Sequence, residues 1–159
     1  MLITPLAETM LFLAARAQLV EEVINPALAK GEAVISDRFS DSTLAYQGYG
    51  RGLDIADLRR LNDIATGGLT PDLTVLLDMP VKASVERRTP RVSDRFEAEL
   101  PSQKGDASDE SFHEKVRQGF LSLASMSLDK WLIVDATLPP REVSLLIRLR
   151  IRTVEAKMA

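Results

Sequence analysis

The sequence has no cysteine among its 159 residues. Disulfides and thiolate metal sites are therefore excluded, and a reducing compartment suits the composition. No apolar stretch approaches the roughly 20 residues that cross a bilayer. Met1 is not followed by a basic region and an apolar core, so no signal peptide is evident. The formal net charge is −3, so no overall positive field attracts nucleic acid. Internal repeats and low-complexity tracts are missing. So is the glycine-rich phosphate loop G-x-x-x-x-G-K-[ST], because no glycine in the chain is followed by lysine. What remains is an ordinary composition, 45% hydrophobic and 27% charged, of a length that suits one domain. The expectation is a cytoplasmic domain with neither a nucleic-acid nor a membrane partner.

Apolar periodicity lays out the elements. Leu6, Met10, Leu13, Ala17, Val20 and Ile24 recur at spacings of four and three, which predicts a helix over 5–30. Thr4 suits its N-cap, Pro5 its first turn and Gly31 its close, while Pro26 should break or kink it. A second helix over 54–66 carries Leu53, Ile55, Leu58, Leu61 and Ile64 as its apolar set and ends at Gly67. Three apolar runs, 33–36, 73–77 and 132–134, predict buried parallel strands. Asp78, just after the second, reads as a strand-end cap. A helix over 111–128 should turn Phe112, Val116, Phe120, Leu121, Leu123 and Ala124 inward. His113, the only histidine, reads there as structural or exposed and not as catalytic. The tail helix, 142–154, should pack Val143, Leu146, Ile147 and Ile151 and leave its arginines in water. Residues 81–88 begin a helix that runs into a charged stretch containing Arg91 and Arg95, and 100–109 read as a loop.

The most informative stretch is 33–54, AVISDRFSDSTLAYQGYGRGLD. Asp37 and Arg38 come directly after the apolar run, where ligands of open α/β sheets bind. A carboxylate and a guanidinium at that corner suit an anionic, metal-bearing substrate. Ser42, Thr43, Tyr46 and Gln47 add hydroxyl and amide groups that can read a polar ring. Gly48, Gly50 and Gly52 let the backbone turn and pass close to a ligand. In the first helix, Phe12 and Arg16 lie four apart and share a face. Taken alone, Phe12 reads as a core ring and Arg16 as a solvated charge.

Taken together, these pieces resemble the thymidylate kinases. The D-R-F corner with its S-T-x-A-Y-Q-G-x-G-R-G continuation, the E-x-x-L-F-x-A-x-R-x-Q helix before it, and the G-L-x-P-D-L-T-x-x-L-D segment after it are similar to that family's motifs. The R-x-x-D-R-x-E stretch resembles the lid of those bacterial members that carry the catalytic arginine in the lid, which puts the lid at about 87–110. The resemblance implies an α/β fold with a P-loop NTPase-type parallel sheet flanked by helices. It implies transfer of the ATP γ-phosphoryl group to dTMP with Mg²⁺, in dTTP biosynthesis. By that resemblance Phe12 stacks on the base, while Arg16 and Thr43 read its edge. Tyr46 packs near the deoxyribose, and Gln47 helps hold the base. Arg38 holds the acceptor phosphate, and Asp37 orients the metal or its waters. Arg91 and Arg95 cover the transferring group. A homodimer through helices that include 9–23 is also implied. The family's first two strands and phosphate loop have no counterpart here, so the expectation is an N-terminally shortened domain that does not turn over ATP alone. The competing expectation is a non-catalytic nucleotide-binding or interaction protein.

Overall fold

The computed structural model describes residues 3–87 and 110–158. Helix α1 (Pro5–Leu19) starts where the Thr4 hydroxyl accepts a hydrogen bond from the Ala7 amide and Pro5 fills the first turn. The helix does not break at Pro26. It passes through a π-helical turn, Val20–Ile24, into α2 (Asn25–Ala29). Proline lacks the N–H that an α-helical register would use, and a wider turn ahead of it absorbs the mismatch. Gly31, at φ +75°, closes α2: its N–H donates to the Leu28 carbonyl and that of Glu32 to the Ala27 carbonyl.

A short helix, α3 (Ser40–Thr43), leads into a π-helical segment, Leu44–Gly50. Helix α4 (Ile55–Thr66) is capped by the Asp54 carboxylate and ended by Gly67 at φ +62°. Strand β1 (Thr74–Asp78), α5 (Val81–Arg87), α6 (Glu110–Ser125), β2 (Trp131–Asp135) and α7 (Pro140–Met158) follow. The strands pair in parallel, Thr74 opposite Trp131 and Asp78 opposite Asp135. Parallel pairing brings both carboxyl ends to one edge, which is where Asp78 and Asp135 sit.

The main core joins the π-helical segment, α4, α6 and β2 through Leu44, Ala45, Leu58, Val116, Leu123, Ala124 and Trp131. Two glycines let α6 meet the π-helical segment at backbone distance. A Cβ on Gly119 would lie 2.8 Å from the Tyr49 side chain, and one on Gly50 would lie 2.7 Å from the Phe112 ring.

Four expectations are corrected. The run 33–36 is not a strand, and Ile35 is 94% exposed. An apolar β-branched run specifies burial only if a neighbouring strand takes up its N–H and C=O groups, and none does so among the described residues. The stripe of α1 is rotated at its start. Leu6 and Met10 face outward, and Glu8 and Thr9 are buried ahead of Leu13. In α4 the buried line is Leu58, Asn62 and Thr66, with Ile64 exposed. In α7, similarly, Leu146 and Ile151 are exposed.

Candidate functional site

Arg16 ties the first helix to the corner. Its Nη1 donates to Thr43 Oγ1 at 2.9 Å and to Asn62 Oδ1 at 2.8 Å, and its Nη2 donates to the Phe39 carbonyl at 3.1 Å. The guanidinium carbon also lies 5.8 Å from the centre of the Phe39 ring. Asn62 is fixed in turn, its amide donating to the Ser40 carbonyl. Burial pulls the Arg16 guanidinium below its ordinary pKa, and the nearby Asp41 carboxylate works against that shift. Arginine stays charged regardless, so a fixed cation with a planar donor fork stands beside Thr43.

The backbone of the corner itself is unusual. Arg38 has φ +66°, the only described residue other than glycine with positive φ. Such a conformation costs of order 1 to 3 kcal/mol and persists where surroundings impose it. The Ser36 hydroxyl donates to the Arg38 carbonyl at 2.8 Å, and the Arg38 guanidinium lies 5.1 Å from the centre of the Tyr46 ring. Tyr46 packs edge-on against Phe112 and Phe120. Asp37 is exposed at the corner, and Phe12 is 45% exposed on α1, one turn before Arg16. The structure thus brings Arg16, Thr43, Arg38 and Tyr46 into one neighbourhood from separate elements. Arg91 and Arg95 lie outside the described residues.

Gln47 is buried, and its amide donates to Glu8 Oε1 at 2.9 Å. Arg51 grips the same carboxylate, Nε to Oε1 and Nη2 to Oε2, both at 3.1 Å. At the strand ends, Arg117 donates to both oxygens of Asp78, at 2.8 and 3.0 Å. That hydrogen bonding raises the Arg117 pKa. Asp78 therefore anchors α6 to the end of β1 instead of merely capping the strand. The Thr137 hydroxyl and amide donate to Asp135 and hold its carboxyl below the usual range. Behind Arg16, a cleft of about 270 Å³ is lined by Asp41, Asn62, Thr74 and Trp131 among others. Thr74 and Trp131 are the first residues of their strands, so this cleft opens at the edge opposite to where α/β sheets place ligands.

Glu8, Arg51, Asn62 and Arg117 were not foreseen as part of this constellation. The available signal was a carboxylate near the start of a largely apolar helix, and an asparagine four residues after a core leucine. No group of three or more His, Cys, Asp or Glu among the described residues could hold a metal. No helix among them is long and apolar enough to cross a membrane.

The family model for thymidylate kinase matches residues 2–147. The chain belongs to the thymidylate kinase family. It is 53% identical over 144 residues to a thymidylate kinase of Desulfovibrio desulfuricans, an alignment covering 89% of this chain and 65% of that protein. It is 46% identical over 149 residues to a thymidylate kinase of Dehalococcoides mccartyi, covering 94% of this chain and 67% of that one. The crystal structure of thymidylate kinase from Ehrlichia chaffeensis superposes with a TM-score of 0.63 at 29% identity, covering 83% of this chain and 59% of that chain. The chain thus spans about two-thirds of the length of these curated thymidylate kinases and less of the crystallised one.

Proposed function

We propose that this chain forms the acceptor-nucleotide side of a thymidylate kinase site. There a phosphate oxygen of dTMP attacks the γ-phosphorus of ATP, the bond to the β-phosphate oxygen breaks, and dTDP and ADP leave. The observation that carries this reading is the Arg16 fork held beside Thr43, one helix turn from the half-exposed Phe12 ring. A pyrimidine on Phe12 would offer its edge to Arg16 and Thr43. Tyr46 would pack against the deoxyribose and disfavour a 2′-hydroxyl. Gln47, whose amide already serves Glu8, would hold the base through its carbonyl. Arg38 would take the acceptor phosphate, for which a guanidinium fork is well suited.

Mg²⁺ typically needs only one or two carboxylates beside phosphates and waters. Exposed Asp37 beside Arg38 fits that demand as a single oxygen ligand or a water-orienting group. Bound there, the ion would neutralise phosphate charge. Arg91 and Arg95 are proposed to cover the transferring group. The sequence has no phosphate-loop motif, so a phosphate-loop segment outside these residues has to complete the ATP side. The chain alone is accordingly proposed to bind dTMP without turning over ATP. The outward Leu11, Leu19 and Val23 of α1 and its π-helical turn would serve a homodimer in the cytoplasm.

The missing phosphate loop also favours a second reading, a nucleotide-binding protein without catalysis. Titration calorimetry with dTMP, dUMP, dCMP and UMP tests the shared pocket, and an ADP-release assay separates the two readings once a phosphate-loop segment is supplied. Equal affinity for all four nucleotides removes the base-reading role of Arg16 and Thr43. Selective dTMP binding with no ADP release under any condition selects the second reading.

A further inference from the structure

We infer that Glu8 is a positioning residue that sets the width and selectivity of the nucleoside pocket, acting through Gln47 and Arg51. The inference deepens the proposed dTMP-site reading and rests on it.

The geometry begins with one buried carboxylate. Glu8 is 7% exposed, on the helix that carries Phe12 and Arg16. Its Oε1 accepts from Gln47 at 2.9 Å and from Arg51 at 3.1 Å, and its Oε2 accepts from Arg51 at 3.1 Å. Gln47 is the neighbour of Tyr46 in the π-helical segment, and Arg51 caps that segment's end. The Arg51 guanidinium in turn lies 5.6 Å from the centre of the Phe112 ring, the same ring that meets Tyr46 edge-on. One carboxylate therefore clamps the base-facing helix to the turn that presents Thr43 and Tyr46, and links both to α6.

The clamp works on the weak point of the pocket wall. A π-helical register is rare and is held by its surroundings, not by propensity. Relaxation toward an α-helical register would rotate Tyr46 relative to Thr43 and Arg16. A charge-assisted, two-pronged arginine bond resists that movement better than a neutral contact. Glu8 itself has both oxygens engaged, so its action on the nucleotide is indirect. Removing it takes an acceptor from buried Gln47 and from the partly buried Arg51, a local cost that falls on the π-helical segment first.

Two measurements on the whole chain test this. In the unliganded Glu8→Ala variant, amide exchange over 44–50 should accelerate about tenfold or more relative to β2, as expected for loss of a buried charged anchor. By calorimetry, the preference of the same variant for dTMP over UMP should fall by a similar factor, about tenfold. Should that variant not fold, Glu8→Gln, which keeps the volume and one acceptor, carries the test with an expected change of about threefold in each ratio. A lower melting temperature with both ratios unchanged would overturn the proposal, because Glu8 would then only stabilise the fold. If the unsubstituted chain binds no nucleotide, the dTMP reading fails. Unchanged exchange over 44–50 then removes the clamp as well, whereas faster exchange keeps the clamp as a property of the turn.

Discussion

The two halves of this molecule are held together by different means. In the helical half, α1 meets α3, the π-helical segment and α4 through long-range side-chain hydrogen bonds: Arg16 to Thr43 and Asn62, Glu8 to Gln47 and Arg51. In the sheet half, among the described residues, one parallel pair of strands carries the architecture, with Leu77 and Ile133 exposed and 33–36 unpaired. A side-chain network can be complete within one chain segment, because each donor needs only one acceptor. A parallel sheet is normally covered on both faces and extended at its edges by further strands. The helical half therefore carries a completed hydrogen-bond network around Arg16 and Glu8, while the sheet half keeps open apolar surface and an open edge.

The largest effect should come from breaking the helical half at its centre. Arg16→Ala removes three hydrogen bonds and leaves the buried Asn62 amide oxygen without its donor. The expected cost is about 2 to 4 kcal/mol, read by urea unfolding, together with loss of dTMP selectivity. Arg16→Lys should recover only part of either, since an ammonium lacks the planar fork that reaches two partners at once. The matching change in the sheet half is smaller. Arg117→Ala breaks the pair with Asp78, whose side chains are 27% and 21% exposed. A partly solvated pair of good geometry suggests about 1 kcal/mol by the same measurement. If the two costs prove equal, the contrast between the halves is wrong.

Asp41 sharpens the comparison, because it stands between the halves, on α3 but bonded weakly to Thr74 of β1 at 3.5 Å. Burial pushes its carboxyl above the ordinary range, opposed by the Thr74 hydroxyl, Arg59 and Arg16. A carboxyl with a raised folded pKa makes the folded state bind more protons than the unfolded one in the window between the two values. Stability then falls as pH rises through that window. Asp41→Asn should therefore raise the melting temperature modestly at neutral pH. The gain should disappear below the unfolded carboxylate pKa, roughly 3.9, where both forms are neutral. A melting temperature lowered at pH 7 would mean that the attraction to Arg16 and Arg59 outweighs desolvation.

The same division explains what the sequence made legible. Signals carried by one or two neighbouring residues were readable: the Thr4 cap, the Gly31 and Gly67 closures, and β1 and β2 as apolar runs. The resemblance pointed to Arg16 and Thr43, and the fold brings them within hydrogen-bond distance across 27 positions. What stayed hidden depended on partners far away in the chain. Asn62 is polar and sits in the buried line of α4 because Arg16 and the Ser40 carbonyl consume its hydrogen-bonding groups. Glu8 is buried for the same reason. Both displace the expected apolar stripes by a fraction of a turn, and periodicity alone counts only apolar residues. The run 33–36 fails in the opposite sense, since its residues suit a strand but nothing in the described chain pairs with it.

That run supplies the smallest expected effect and the sharpest check on the contrast. Ile35 is 94% exposed, so replacing it should cost almost nothing in this chain. Ile35→Asp is predicted to change unfolding stability by less than about 0.5 kcal/mol, the usual range for surface positions. A residue of a paired, covered strand would respond quite differently. Burying an aspartate in place of isoleucine would forfeit about 2 kcal/mol of apolar burial and add the cost of an unpaired charge. Urea titration of the variant thus reports directly on whether 33–36 is covered. A loss above about 2 kcal/mol would mean that a neighbour covers this segment in solution, by self-association if the loss grows with protein concentration. A null result in the isolated chain, turning into a large loss once a phosphate-loop segment is added, would place the open edge of the sheet half beside the corner formed by Asp37 and Arg38.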